Sequence, residues 1–150
     1  MPSGRVGVFW KVRARPLPDR AVRAAVRAAL DLGGRAGIPV DVVLVDDRAL
    51  ARLHGRYLGD PSPTDVLSFD LGEEGGGPAA EIYASVDRAR AVARERGVEA
   101  GRELALYLVH GALHLCGHDD HALAARRRMR EAEAAVMRSL GYPPDHGGPL

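Results

Sequence analysis

The chain is poor in cysteine, in lysine and in aromatic residues. A single thiol, Cys116, excludes an internal disulfide framework and suits a reducing compartment. One tryptophan, two phenylalanines and four tyrosines among 150 residues leave few platforms for stacking on bases, so sequence-specific base reading is hard to supply. Net charge is nearly absent as well. Lys plus Arg number 21 against 20 for Asp plus Glu, a formal +1, and no global field draws a polyanion. Any nucleic-acid contact must come from a local patch. Lys11 is the lone lysine, and the arginine bias, with the high Ala and Gly content, reads as genome composition rather than as a binding device. The opening "MPSGRVGVFWKV" holds no apolar run long enough for a signal h-region or a membrane span, from which cytoplasmic residence is expected. No internal repeat is visible.

What is present is enough for one core. A hydrophobic content of 46% over 150 residues supports a single domain and is too little chain for two ordinary ones. Alternation of Val6, Val8, Trp10 and Val12 marks a first strand. Val22, Val26 and Leu30 recur at helical spacing until "GG" at 33 and 34. "IPVDVVLVDD" is a second strand whose Asp46 and Asp47 cap a short helix through Leu50, Leu53 and Tyr57. "TDVLSFDL" and "EIYASV" are third and fourth strands, and Asp87 is expected to cap a helix reaching about Gly97. From Glu99 the series Leu104, Leu108, Ala112, Leu115 gives a buried helix ended by Gly117, and a last helix runs from about Ala122 to Leu140. The class is therefore α+β, a single domain over 1–150 with a mixed sheet of about four strands and about five helices, the segment from about 142 to 150 being a flexible tail.

Four of the six histidines fall within "VHGALHLCGHDDH", Val109 to His121. His110 and His114 are four apart, so they share a helical face one turn from each other and can bind one Zn²⁺ without distorting the helix. Gly117 supplies a turn, and the spacing HxxxHxxGxxH of metzincin zinc sites is reproduced with Asp120 in the tenth position. His110, His114 and Asp120 plus one water make an open site. His121 or His118 is the alternative third ligand if the turn is one residue longer or shorter. Cys116, about 200° round the helix from His114, points away from the metal side and reads as a structural thiol. Where zinc peptidases carry a glutamate base after the first histidine, this chain has Gly111, which argues against peptide cleavage. Glu103, seven residues before His110, reads as a surface or helix-start carboxylate.

"TDVLSF" (Thr64 to Phe69), "EIYASVDRAR" (Glu81 to Arg90) and "ELALYLVHGALHLCGHDD" (Glu103 to Asp120) resemble, in that order, the signature segments of the YbeY family of bacterial endoribonucleases, whose motif reads HGxLHLxGYDH. The resemblance runs from about Pro39 to Gly141. It implies an α+β metalloprotein with one zinc per chain, a single-strand-specific endoribonuclease in 3′-end maturation of small-subunit ribosomal RNA and in ribosome quality control. Its partners would be single-stranded RNA and the ribosome or ribosomal proteins, with neither DNA nor a membrane. By position, His110 and His114 match the family's first two zinc ligands. The third, a histidine in the family, is Asp120 here, and His118 stands where a tyrosine is usual. Aspartate keeps a lone pair but adds negative charge, which makes bound water less acidic; alternatively His121 takes the place. The family's functional arginine, six residues before the threonine, is Leu58 in this chain, and Arg56 is the nearest catalytic substitute.

Of the other polar residues in these segments, Thr64 and Asp65 suit capping after a proline turn, and Ser68 suits a satisfied strand serine. Arg126, Arg127, Arg128 and Arg130 offer an RNA-backbone track, but three consecutive arginines span most of a turn and cannot all face one site, so a solvated face is preferred for the run. Two rival readings remain: a zinc hydrolase on a non-RNA substrate, and a non-catalytic ribosome-assembly factor whose zinc is structural.

Overall fold

Only one side of strand β1 (Val6–Trp10) meets the core: Val6, Val8 and Trp10 turn inward, while Phe9 on the other side is exposed. This computed structural model describes residues 4–59, 64–72, 74–119 and 121–143. From β1 the chain passes to helix α1 (Asp19–Gly33), tied at its first turn by the Trp10 indole N–H donating to Asp19 Oδ1 at 2.7 Å. Val22, Ala25, Val26, Ala29 and Leu30 form the helix's single buried stripe, and the crossover delivers β2 (Val40–Val45) parallel to β1. Asp46 then caps α2 (Asp47–Leu58), its Oδ1 accepting the Ala49 N–H at 2.7 Å.

Strands β3 (Val66–Asp70) and β4 (Ala80–Ser85) follow, and then helices α3 (Val86–Arg96), α4 (Ala100–Leu115) and α5 (Leu123–Ser139). The sheet order is β1-β2-β4-β3, with β4 parallel to β2 and β3 antiparallel to β4. Among the described residues, four strands, five helices and a mixed sheet in one α+β domain agree with the sequence reading. Several boundaries shift by one or two residues, as at the end of β1, which stops at Trp10 rather than Val12, and at the start of α3. Ser85, the last residue of β4, keeps extended backbone angles and caps α3 by accepting the Arg88 N–H at 3.1 Å, so the helix starts before Asp87. The Asp87 carboxylate is thereby left to accept the Asp47 N–H, joining the starts of α2 and α3.

Pairing register puts Val42, Ile82 and Ser68 on one face, and that face lies under α1 and α4. Val40, Val42, Leu44, Ala80, Ile82 and Ala84 are wholly buried there, and the alanines of β4 leave room for α4 to lie close. The opposite face is covered by α2, where Val45, Leu50 and Leu67 form a smaller cluster. Helix α4 is the centre of the molecule, with Leu104, Leu108 and Ala112 fully buried and α1, α3 and α5 packed around it. At the far end, Tyr142 packs on this core and the Arg102 guanidinium donates to the Pro143 carbonyl. The rest of the expected tail, 144–150, lies outside the described residues. Among the described residues no helix is long and apolar enough to cross a membrane.

Candidate metal centre

Helix α4 carries His110 and His114 one turn apart, and the structure brings them together as the spacing requires. Their Nε2 atoms approach to 3.1 Å, with ring centroids 4.7 Å apart and planes inclined by 74°. Two nitrogens bonded to one tetrahedral zinc at about 2.0–2.1 Å stand roughly 3.4 Å apart, so the observed 3.1 Å is close to one edge of such a tetrahedron. Behind this pair, His110 Nδ1 bonds to Oε2 of Glu133 on α5. An Nδ1–H donated to a carboxylate leaves the Nε2 lone pair facing its neighbour, the protonation that a metal ligand needs. The two imidazoles and their carboxylate therefore fit a zinc ion.

Glu133 escaped the sequence reading although a signal for it exists. Met129 and Val136 are buried on α5, and Glu133 lies one turn from Met129, on the inward side of the helix. A carboxylate beside a buried stripe needs a partner, and His110 is that partner.

The pair opens onto a cleft of about 510 Å³ between α4, β3 and α2, lined also by His54, Thr64, Asp65 and His121. Among the described residues no group of three or more His, Cys, Asp or Glu is assembled to hold a metal ion. Asp120, the third ligand expected from the spacing, lies outside the described residues. Of its two alternatives, His121 shares the cleft with the pair, whereas His118 lines another of about 250 Å³ with Cys116 and Arg128. The cause is the helix end. Gly117, at φ 97°, donates to the His114 carbonyl and His118 N–H to that of Leu113, a Schellman closure that ends the α4 register before His118. Cys116 turns away as expected, against Gly33, and burial raises its pKa, which keeps the thiol protonated.

Arg56 is placed on the exposed side of α2, its guanidinium 5.5 Å from the Tyr57 ring centroid. It is not among the residues lining the histidine cleft; His54, about 200° round the same helix, is. The sequence reading missed His54. Its position one turn after the buried Leu50 was the available signal.

Gly111 lies on the side of α4 that faces the sheet. A Cβ there would stand 2.9 Å from Ser68 Oγ, 3.0 Å from Val66 Cγ2 and 3.1 Å from Ile82 Cγ2. Ser68 itself donates to the Gly111 carbonyl at 2.8 Å, a structural serine as expected. A peptidase glutamate at this position has no room, which gives a steric reason for what the sequence suggested.

On the other side of His110 lies a second cleft of about 300 Å³, lined by Glu133, Glu103, Asp65, Arg96, Arg126 and Arg130 among others. Glu103 is in the first turn of α4 but buried rather than at the surface. Burial raises its pKa, against the pull of Arg96 at 3.5 Å. The neighbouring Tyr107 hydroxyl is pushed well above the ordinary phenol range, again by burial first and by Glu103 second.

Comparison with known proteins adds family and fold. The family model "Endoribonuclease YbeY" matches residues 12–141. A protein so described from Anaeromyxobacter sp. (strain Fw109-5) is 42% identical over 130 residues, covering 85% of this chain and 65% of that one. Another, from Carboxydothermus hydrogenoformans, is 37% identical over 121 residues and covers 80% and 84% respectively. The chain thus spans just under two thirds of the Anaeromyxobacter relative and most of the Carboxydothermus one. In fold it is similar to a Thermotoga maritima protein solved in solution, at a TM-score of 0.57 and 22% identity, over 96% of this chain and 99% of that one.

Proposed function

This chain belongs to the endoribonuclease YbeY family, and on that premise we propose that it is a zinc-dependent, single-strand-specific endoribonuclease. It acts in the cytoplasm on precursor ribosomal RNA, in 3′-end maturation of the small subunit and in ribosome quality control, with the ribosome or its proteins as partners. The observation that carries the reading is the approach of the His110 and His114 Nε2 atoms to 3.1 Å with the Glu133 carboxylate behind them. His110 and His114 hold one zinc, Asp120 is the third ligand, and His121 is the alternative that the cleft lining favours over His118.

Zinc in this position supplies Lewis acidity to a phosphate oxygen and to water. The protein's own residues do the rest. Glu133 keeps the proton on His110 Nδ1 and fixes the ring. The cleft of about 510 Å³ receives the unpaired strand between polar walls that include His54, Thr64 and Asp65, of which the Asp65 carboxylate can only accept, as from a sugar hydroxyl. With few aromatics, recognition rests on backbone and shape. Arg56, exposed on α2, contributes from outside the cleft walls, as a cation that complements phosphate charge when a strand crosses α2.

The test is zinc content after exhaustive dialysis, read beside cleavage of matched single-stranded and duplex RNA. About one zinc per chain, with cleavage confined to the single strand and abolished by chelation, is expected. Loss of the zinc in Asp120→Ala with retention in His121→Ala assigns the third ligand, and the reverse assigns His121. A chain that holds no zinc, or that cuts RNA equally well without it, overturns the reading.

A further inference from the structure

The arginine run on α5 divides between two clefts. Arg126 and Arg130 line the cleft of about 300 Å³ that shares His110 with the metal centre, whereas Arg128 lines the one with Cys116 and His118, on a different side of the helix. Among the described residues, neither the Arg126 nor the Arg130 guanidinium has a hydrogen bond or ion pair. The other charges in that cleft are committed: Glu133 to His110 and Glu103 to Arg96. Asp65 alone is left to offset two exposed cations.

Resting on the nuclease reading, we propose that Arg126 and Arg130 form a phosphate subsite that holds the RNA strand as it leaves the metal centre over α5. The two are one helical turn apart, about 6 Å along the axis, a step comparable with that between successive phosphates of a strand. His110 lines both clefts, so a strand lying across it reaches the metal-side cleft and the arginine pair together. Guanidinium groups suit this task because they bind phosphate oxygens through two parallel N–H bonds and carry charge at every working pH. Arg127 and Arg128, rotated by about 100° and 200° from Arg126, do not belong to the subsite.

The test is binding of a fluorescein-labelled, 2′-O-methyl 12-mer, which resists cleavage, over a range of salt concentrations. Arg126→Ala/Arg130→Ala is expected to weaken binding about tenfold and to flatten the slope of log K against log salt by roughly 1.4, two contacts at about 0.7 each. Arg127→Ala/Arg128→Ala should change affinity less than twofold, and Arg126→Lys/Arg130→Lys should restore the salt slope. Zinc content and thermal midpoint should match wild type in all three. Equal losses in the two alanine pairs, an unchanged Arg126→Ala/Arg130→Ala protein, or stronger binding of an oligoglutamate of equal charge would each overturn the subsite. Cleavage of unmodified RNA separates the two claims. A wild type that cuts RNA while Arg126→Ala/Arg130→Ala binds normally removes the subsite and leaves the nuclease. A wild type that binds with the arginine-dependent slope but never cuts removes the nuclease and leaves the subsite.

Discussion

His110 and His114 are held by a helix, whereas His118 and His121 follow the glycine that ends it. The first two are spaced by hydrogen-bonded turns of α4, buried on either side by Val109, Gly111 and Leu113, so their Nε2 atoms meet without further help. The second two are placed by a Schellman closure and by the turn after it, where Asp119 Oδ1 accepts the His121 N–H at 3.2 Å. The result is that His114 and His121, seven residues apart, share a cleft, and His118 between them, four from the first, does not. Spacing is a guide to ligation only as far as the backbone repeat that gives it meaning.

The sharpest way to break this comparison is to remove one histidine from each half. His114→Ala should lose zinc and cut RNA on the order of 10³-fold more slowly, since a metal's contribution to such chemistry is several kcal/mol. His118→Ala should keep the zinc and most of the rate. Equal loss in both would show that the two halves form one ligand set. A smaller effect is expected from Glu133→Gln, which keeps the shape of the side chain and removes its charge. Zinc affinity should fall by about 10–100-fold, the usual cost of losing a carboxylate behind a ligating histidine. Thermal stability without metal should change little, and titration with a competing chelator measures the difference. Zinc affinity unchanged in Glu133→Gln would mean that α4 alone positions His110.

Most of the fold was legible because each element carries its own repeat. The alternation of β1, the stripe of α1 and the cap at Asp46 are local facts, and the structure agrees with each. Within the site, His110 and His114 were legible for the same reason. Glu133 and His54 carried only a helical-spacing signal, and which arginine of the run meets which cleft was not legible, because each depends on how one element lies against another. Glu133 meets His110 only because α5 crosses α4 at that turn, a contact between residues 23 apart. The cap at Ser85 was missed for a smaller cause: a strand ending in serine leads straight into a helix, and Asp87 two positions on is an equally good capping residue by type.

Arg35 offers the mildest test, because it supports the end of the helical half without touching either histidine ring. Its Nη1 donates to the Leu115 carbonyl at 2.8 Å and pairs with Asp70 Oδ2 at 2.8 Å, joining the end of α1, the last turn of α4 and the edge strand β3. The Leu115 carbonyl is one of the acceptors that a helix end leaves without an internal partner, and a cation there also meets the negative end of the helix dipole. Arg35→Met should therefore cost about 1 kcal/mol in urea unfolding, most of it from the carbonyl, since an ion pair with an exposed carboxylate adds little. The Asp70 share can be read separately through pH. The Gly72 N–H first, and the Arg35 guanidinium second, hold the Asp70 carboxyl below the usual carboxylate range. Its contribution is thus fully present above that range and is lost as pH falls through the lowered value, so Asp70→Asn should be less stable than wild type by under about 1 kcal/mol at neutral pH and should converge with it in acid. Both variants should still bind one zinc, because the His110 and His114 spacing comes from turns of α4 that precede Leu115. If Arg35→Met loses the metal, the helical half is not self-sufficient, and the contrast between the two pairs of histidines reduces to a difference in how firmly one shared end of α4 is held.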